Sequence, residues 1–181
     1  MTDSAPARGI DHIGMTVPDI ERAARFLEAA LGATTLYDVQ RLSDAPMAGK
    51  DVEQQLGMPN RAAITHMRLM RVGVGPSVEL FQFSHVEQGP SASLPDFGLQ
   101  HVAVYVDDIA VSAERFERAG GTLLSPPHRL AGIEDGPGNA GVYGRAPWGS
   151  LIELITYPAG VDVPKGGPTR WTPPAKTESQ S

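Results

Sequence analysis

Two histidines and two glutamates recur at matching places in the two halves of the sequence. His12 is followed 67 residues later by Glu79, and His101 is followed 52 residues later by Glu153. Each glutamate lies in an apolar run, where an unpaired carboxylate that loses water costs several kcal/mol. A divalent cation shared by two imidazoles and two carboxylates would offset that charge. Taken singly, each residue is better explained as an ordinary strand position, so the recurrence is what favours a site.

The absence of cysteine narrows the kinds of site that the chain can build. A thiolate metal centre, a disulfide framework and a cysteine nucleophile are all excluded, so any metal must be held by His, Asp or Glu. The sequence also contains no Ser-His-Asp spacing, no glycine-rich phosphate loop and no dinucleotide fingerprint.

An internal repeat carries these residues. When the sequence is shifted by 89 residues, the segment from His12 to Gly32 lies on the segment from His101 to Gly121 with eight identities in 21 positions. A shift of 74 residues places residues 78–83 on residues 152–157, so the first half contains about 15 extra residues, near 43–60. The chain is therefore predicted to be a tandem duplication with an insertion in its first copy.

Periodicity predicts the elements that position the four residues. The helices are expected to begin after Asp19 and Asp108, which are suitable N-caps, and the first should end at Gly32. Each half is therefore predicted to have the element order β-α-β-β-β. The predicted strands are residues 9–17, 34–42, 63–72, 78–83, 99–106, 122–124, 140–146 and 151–157.

Alternation along the strands assigns each side chain to a face. The two histidines and two glutamates should lie on the open face, which we define as the face of each sheet turned away from the helices. The opposite face is apolar and should form the core, with Val78, Leu80, Ile152 and Leu154 among its members. Four aromatic residues share the open face and either line a substrate pocket or pack as ordinary sheet residues: Phe81, Phe83, Tyr105 and Tyr157.

Composition and spacing together predict the domain organisation. The 181 residues include 20 Gly and 16 Pro, concentrated after Gly120, which excludes a coiled coil or a simple helical bundle. The hydrophobic fraction of 41% is enough to fill a core. The predicted parts are an N-terminal tail (1–8), a first βαβββ module (9–85), a linker (86–97), a second βαβββ module (98–158) and a Pro/Gly-rich C-terminal tail (159–181) with Trp171 as a docking candidate.

Charge and hydropathy restrict the partners. The net charge is −6 and no cluster of Lys and Arg stands out, which argues against nucleic acid. No apolar run is long enough to cross a membrane, and the N-terminus lacks an apolar signal core. We therefore predict a cytoplasmic protein with a small-molecule substrate, acting without nucleic acid or membrane. Whether the modules close a site within one chain or exchange in a homodimer is left open.

The motifs around the four residues resemble those of a known superfamily. Asp-His-Ile-Gly with Val-Glu-Leu-Phe, followed by Gln-His-Val-Ala and Trp-Gly-Ser-Leu-Ile-Glu-Leu, is similar to the vicinal oxygen chelate superfamily, which includes glyoxalase I, epimerases, extradiol dioxygenases and antibiotic-resistance proteins. The resemblance spans about residues 9–158. It implies an α+β fold in which two tandem βαβββ modules form a half-open, eight-stranded barrel-like sheet. It also implies that His12, Glu79, His101 and Glu153 are the metal ligands.

The resemblance implies a mechanism as well as a fold. One divalent ion per site, Zn, Ni, Co, Mn or Fe(II), would accept neighbouring oxygens of the substrate and stabilise the enediolate formed when an α-proton leaves. We expect an epimerase, isomerase or glyoxalase-like lyase. By the resemblance, Glu79 or Glu153 could detach and act as the base, and Glu53 in the insertion is a weaker candidate. A loop at residues 126–139 is expected to act as a lid.

Two other functions compete with proton transfer. An Fe(II) extradiol-type dioxygenase would use two histidines and one carboxylate, leaving room for catechol and dioxygen. A fourth ligand at Glu79 fills that room and so favours the epimerase, isomerase or lyase branch. The second competitor is a resistance-type protein that binds a small molecule without catalysis. Such binders often lack the ligands, and the complete set here counts against this alternative.

Overall fold

The computed structural model describes residues 7–164, 166 and 170–174 of the chain. Most of the predicted N-terminal tail and much of the predicted C-terminal tail lie outside these residues. The described chain divides into two compact units: one comprises the residues up to Ala24 together with Ala33–Glu87, and the other comprises Arg25–Gly32 together with the residues from Gln88 onward. Among the described residues, no helix is long and apolar enough to cross a membrane.

The first module forms a four-stranded open sheet in the strand order β1-β4-β3-β2. Strands β1 and β4 are parallel, and the other two pairings are antiparallel. Its elements are β1 (His12–Thr16), α1 (Ile20–Leu31), β2 (Thr34–Gln40), α2 (Lys50–Leu56), β3 (Ala63–Arg71) and β4 (Ser77–Ser84).

The second module repeats this plan. Its strands follow the order β5-β9-β8-β6, with β5 and β9 parallel, and the short β7 pairs with β8. Its elements are β5 (His101–Tyr105), α3 (Ile109–Arg118), β6 (Thr122–Leu123), β7 (His128–Arg129), a 3₁₀ turn (Gly132–Glu134), β8 (Ala140–Arg145) and β9 (Leu151–Thr156). The eight predicted strands and the α+β class are thus confirmed, in two sheets that are each open.

The helices begin and end where the sequence signals predict. The Asp19 carboxylate accepts a hydrogen bond from the backbone of Arg22, and the Asp108 carboxylate accepts one from the backbone of Val111. These contacts satisfy amide donors that have no partner within the helix. Helix α1 is followed by Gly32 at φ 69°, a left-handed conformation in which a side chain is strained.

The faces of the strands also follow the prediction. In β4, Val78 and Leu80 are buried, and Gln82 on the same face accepts a hydrogen bond from the backbone of Ile20 at the start of α1. In the second module, the ring of Phe116 from α3 packs directly over Gly144 of β8. Each buried Leu, Ile or Phe side chain contributes about 1.5–3 kcal/mol. This packing fixes which face of each sheet remains open.

Two regions differ in detail from the sequence-based expectation. The insertion near residues 43–60 contains a helix, α2, which ends at Gly57 in the left-handed conformation. The predicted lid loop at residues 126–139 contains β7 and the 3₁₀ turn, and a salt bridge of 2.8 Å joins Arg129 and Asp135 across it. Short elements of this kind give too few residues for a period to be recognised.

Candidate functional site

The first module brings His12 and Glu79 together on the open face of its sheet. Parallel pairing of β1 with β4 sets Gly14 opposite Glu79, and the imidazole Nε2 of His12 lies 3.2 Å from a carboxylate oxygen of Glu79. The other ring nitrogen, Nδ1, lies 2.8 Å from the carboxylate of Asp11. That hydrogen bond, followed by the charge of Glu79, raises the pKa of His12 against the opposing effect of burial.

Asp11 is a site residue that the sequence reasoning missed. It accepts the Nδ1 proton of His12, which leaves the Nε2 lone pair directed at Glu79 when the ring is neutral. Metal-ligating histidines commonly have such a carboxylate on their second nitrogen. The signal was present, because an acidic residue directly before a candidate ligand can reach its ring.

The second module places His101 and Glu153 in the equivalent arrangement. Parallel pairing of β5 with β9 sets Ala103 opposite Glu153, and Nε2 of His101 lies 3.6 Å from a carboxylate oxygen of Glu153. Tyr143 of β8 is directly opposite Glu153 in the antiparallel ladder, and its hydroxyl favours the ionised form of that carboxylate. The ring of Tyr143 also lies edge-on to His101, with centroids 5.4 Å apart.

Glu153 is a buried carboxylate with an altered proton affinity. Burial is the main cause that raises its pKa above the usual range for glutamate, and the hydrogen bond from Tyr143 and the charge of His101 oppose the rise. Burial also raises the pKa of Tyr143, and the neighbouring Glu153 adds to that effect. The site therefore holds a carboxylate whose negative charge would be stabilised further by a cation.

The geometry of the first pair suits two ligands of one ion, and the second pair is slightly wider. Bonds of about 2.1 Å at angles of about 90° to 110° place neighbouring ligand atoms about 3.0 to 3.4 Å apart. The separation in the first module, 3.2 Å, falls within this range, and that in the second, 3.6 Å, is slightly longer. Within the described residues, no group of three or more His, Asp or Glu side chains could hold an ion. What the structure brings together is one imidazole and one carboxylate per module, and the four-ligand set stays a prediction.

The predicted aromatic residues form one stacked pair in each module. Phe81 and Phe83 have ring centroids 6.1 Å apart, and Tyr105 and Tyr157 have centroids 6.4 Å apart. Both pairs lie on the open face. The hydroxyl of Tyr157 donates a hydrogen bond of 3.0 Å to Glu134 in the 3₁₀ turn. Each histidine–glutamate pair thus shares its sheet face with a wall of aromatic rings.

Glu53 has a different setting from the other predicted site residues. It lies in α2, and its carboxylate accepts a hydrogen bond of 2.6 Å from the backbone of Arg61, which has a φ of 70°. This contact braces the turn between α2 and β3. The structure therefore gives Glu53 a local structural role, and its role as a base stays a prediction.

The sequence profile of a known superfamily matches this chain over the first module and part of the second. Residues 11–136, well over half of the chain, match the Glyoxalase/Bleomycin resistance protein/Dioxygenase superfamily. The chain belongs to this superfamily. The resemblance inferred from the histidine and glutamate motifs is confirmed.

Individual members of the superfamily are similar over most of the chain. A 2-epi-5-epi-valiolone epimerase from Actinomyces sp. is 32% identical over 160 residues, which are 85% of this chain and 82% of that protein. A glyoxalase family protein from Bacillus cereus has the same fold, with a TM-score of 0.67 at 18% identity, over 86% of this chain and 98% of that one.

Two further solved structures share the fold at a similar level of sequence identity. The fosfomycin resistance protein FosX from Listeria monocytogenes, solved as a mutant with Mn(II), has a TM-score of 0.53 at 17% identity, over 86% of this chain and 93% of that one. Glyoxalase I from Zea mays has a TM-score of 0.54 at 20% identity, over 81% of this chain. The present chain spans only 44% of the maize enzyme's length.

Proposed function

We propose that this superfamily member is a divalent-metal-dependent epimerase that acts by proton transfer on a small α-hydroxycarbonyl substrate. The observation that carries the proposal is the duplicated histidine–glutamate pair on the open face of each module, with Nε2 and a carboxylate oxygen 3.2 Å apart in the first module and 3.6 Å apart in the second. The identity of 32% with an epimerase over 85% of the chain supports the reaction type. By the same similarity, the substrate is a valiolone-type cyclitol.

The proposed metal ligands are His12, Glu79, His101 and Glu153. Imidazole nitrogen with carboxylate oxygen suits Zn, Ni, Co, Mn or Fe(II), and affinity alone does not select among these ions. The Mn(II) complex of FosX supports a divalent ion in this fold. When bound, the cation would supply Lewis-acid stabilisation of the negative charge that develops on the substrate oxygens.

The proton must be carried by the protein's own side chains. Epimerisation removes a proton from one face of a carbon and returns one to the opposite face, so two acid–base groups are useful. Each module offers one carboxylate, Glu79 or Glu153. Tyr143 is paired with Glu153 across the strands and favours its ionised carboxylate, and Asp11 contacts the ring of His12 at 2.8 Å. We propose that Glu79 and Glu153 exchange the α-proton with the substrate, while Tyr143 and Asp11 are positioning residues.

Solvent deuterium exchange tests the reaction type. The purified protein, loaded with Mn²⁺, should incorporate deuterium from D₂O at the α-carbon of a polyhydroxylated ring ketone without consuming oxygen. Glu153→Gln should lose this exchange, because the amide cannot accept the proton, while Glu87→Gln, at an exposed position, should retain it. Oxygen consumption with a catechol would instead assign the protein to the dioxygenase branch. Binding without exchange would assign it to the resistance-type binders.

A further inference from the structure

A short C-terminal segment lies against the open face of the second module. The guanidinium carbon of Arg170 is 3.9 Å from the centre of the Tyr157 ring, a cation–π distance. The next residue, Trp171, packs edge-on to Tyr105 with ring centroids 6.4 Å apart. The tyrosines belong to the predicted substrate wall, so these two residues extend that wall beyond the strands.

Hydrogen bonds connect Arg170 to the predicted lid loop. Its guanidinium donates to the hydroxyl of Tyr157 at 2.6 Å, and that hydroxyl donates to the carboxylate of Glu134 at 3.0 Å. Arg170 is also 3.5 Å from the same carboxylate oxygen. The side chains of Arg170 and Glu134 are each 40% exposed, so both keep donor or acceptor capacity that a ligand can reach.

This cluster is close to the proposed reaction site of the same module. Tyr105 and Tyr157 each follow their candidate ligand, His101 or Glu153, by four residues on the same strand face. Four residues correspond to about 13 Å along a strand, and long side chains shorten that gap. A ring-sized molecule at the histidine–glutamate pair would therefore extend toward the cluster.

The charges of this face indicate which molecules fit. Glu134 and Glu153 are both acidic and oppose a phosphate or carboxylate, and Glu134 already compensates Arg170. The guanidinium of Arg170 offers hydrogen-bond donors, and the carboxylate of Glu134 beside it offers an acceptor. Neighbouring hydroxyl groups of a ligand can use both. The rings of Tyr157 and Trp171 offer apolar surface for the C–H face of a ring. These features favour a neutral, hydroxyl-rich ligand.

We propose that Glu134, Arg170 and Trp171 recognise the hydroxyl groups of a neutral, polyhydroxylated ring substrate. These residues are specificity determinants, set apart from the histidine–glutamate pair where the proton moves. The assignment of the ligand as substrate rests on the proposed epimerase function, whereas its binding can be measured without turnover.

Calorimetric titration of the purified full-length chain with a pentahydroxycyclohexanone tests the proposal. Arg170→Gln and Glu134→Gln should each weaken binding about ten- to a hundredfold, the effect of losing a hydrogen bond to a charged group. Trp171→Ala should weaken it up to about tenfold. The matched control is Arg129→Gln, which removes an exposed ion pair from the same loop and should bind as the wild type does. Equal melting temperatures will show that the variants are folded.

Further measurements separate this proposal from the proposed function. Deuterium exchange into hydroxyacetone, which lacks the ring hydroxyls, should be the same in Arg170→Gln as in the wild type. Absence of exchange in every protein, combined with ring-ketone binding that depends on Arg170, would refute the epimerase and leave the recognition site standing. The recognition site is refuted if the wild type does not bind the ring ketone, if Arg170→Gln binds it as Arg129→Gln does, or if inorganic phosphate binds more tightly.

Discussion

Replacing Asp11 with asparagine tests how the first histidine is prepared to bind a metal. Asp11 accepts the Nδ1 proton of His12 at 2.8 Å, so Asp11→Asn removes the negative partner while keeping the size of the side chain. The imidazole then has only a neutral acceptor at Nδ1 and loses part of its basicity. We expect the affinity for a divalent ion to fall, because an outer carboxylate strengthens the histidine that it contacts.

The solvent exposure of Asp11 determines how much metal affinity its replacement should cost. Loss of such an outer partner usually costs 10- to 100-fold in metal affinity. The Asp11 side chain is 92% exposed, so water screens its charge and the lower end of that range applies. We therefore predict a loss of about tenfold in the association constant, equivalent to about 1.4 kcal/mol. The second module provides a contrast, since the matching residue, Gln100, donates to the backbone of Asp96 instead.

Competition titration with Mn²⁺ or Zn²⁺ measures the affinity, and NMR of the ring protons measures the pKa of His12 in the metal-free protein. Asp11→Asn should lower that pKa toward its ordinary value, because the hydrogen bond to Asp11 is the main cause of its rise. Glu87→Gln removes the same charge from an exposed position and should change neither quantity. An Asp11→Asn protein with the affinity of Glu87→Gln would refute the positioning role.

Three predictions concern the framework of the site. Gly144→Ala should destabilise the protein by about 1–3 kcal/mol in urea unfolding, because a Cβ at this position would lie 2.6 Å from the ring of Phe116; an unchanged midpoint would contradict this packing. Asp38→Asn should cost about 1–3 kcal/mol at pH 7, since Arg68 lowers the pKa of Asp38 and binds it at 2.6 Å. The pKa of Asp38 is lower in the folded state than in the unfolded state. Its contribution to stability is therefore complete above the unfolded pKa of 3.8 and is lost as the pH falls through the folded pKa. A difference in stability between the wild type and Asp38→Asn that persists in acid would contradict this prediction. Asp108→Ala should cost about 1 kcal/mol by removing the N-cap of α3, and equal thermal melting of the two proteins would show that the cap contributes nothing.

The pairing of His12 with Glu79 and of His101 with Glu153 was predictable because three regularities agree. The repeat locates equivalent positions, the two-residue period of a strand assigns the face, and a charged residue in an apolar run marks an unusual environment. Together these regularities place the four residues on the open face of each sheet and at equivalent positions along its strands. In the structure, the histidine and the glutamate of each module lie 3.2 and 3.6 Å apart, and their role as ligands stays a prediction.

Other parts of the candidate site carry no periodic signal. Tyr143 contacts Glu153 through strand pairing that joins distant stretches of chain, and its register depends on the intervening loop. Arg170 and Trp171 follow a Pro/Gly-rich stretch of sequence with no apolar period, and their contacts with Tyr157 and Tyr105 are tertiary. Sequence reasoning identified Trp171 as a docking candidate but had no physical basis for choosing its partner.

The duplication gives the two modules the same plan with different surroundings for their ligands. His12 is exposed and bonded to the acidic Asp11, while Glu153 is buried and lies opposite the neutral Tyr143 on the neighbouring strand. A carboxylate in a buried setting holds a proton more readily than one in water. We expect the second module to be the more sensitive of the two to substitution of its carboxylate.

Metal analysis of purified protein is the most direct test of the central claim that the two histidine–glutamate pairs supply the ligands of a divalent ion. Elemental analysis after extensive dialysis should find about one equivalent of a divalent transition metal in the wild type, and His12→Ala and Glu153→Ala should each lose most of it. Glu87→Gln should retain it. Undiminished metal in His12→Ala and Glu153→Ala, with both proteins folded, would contradict the assignment of these residues as ligands.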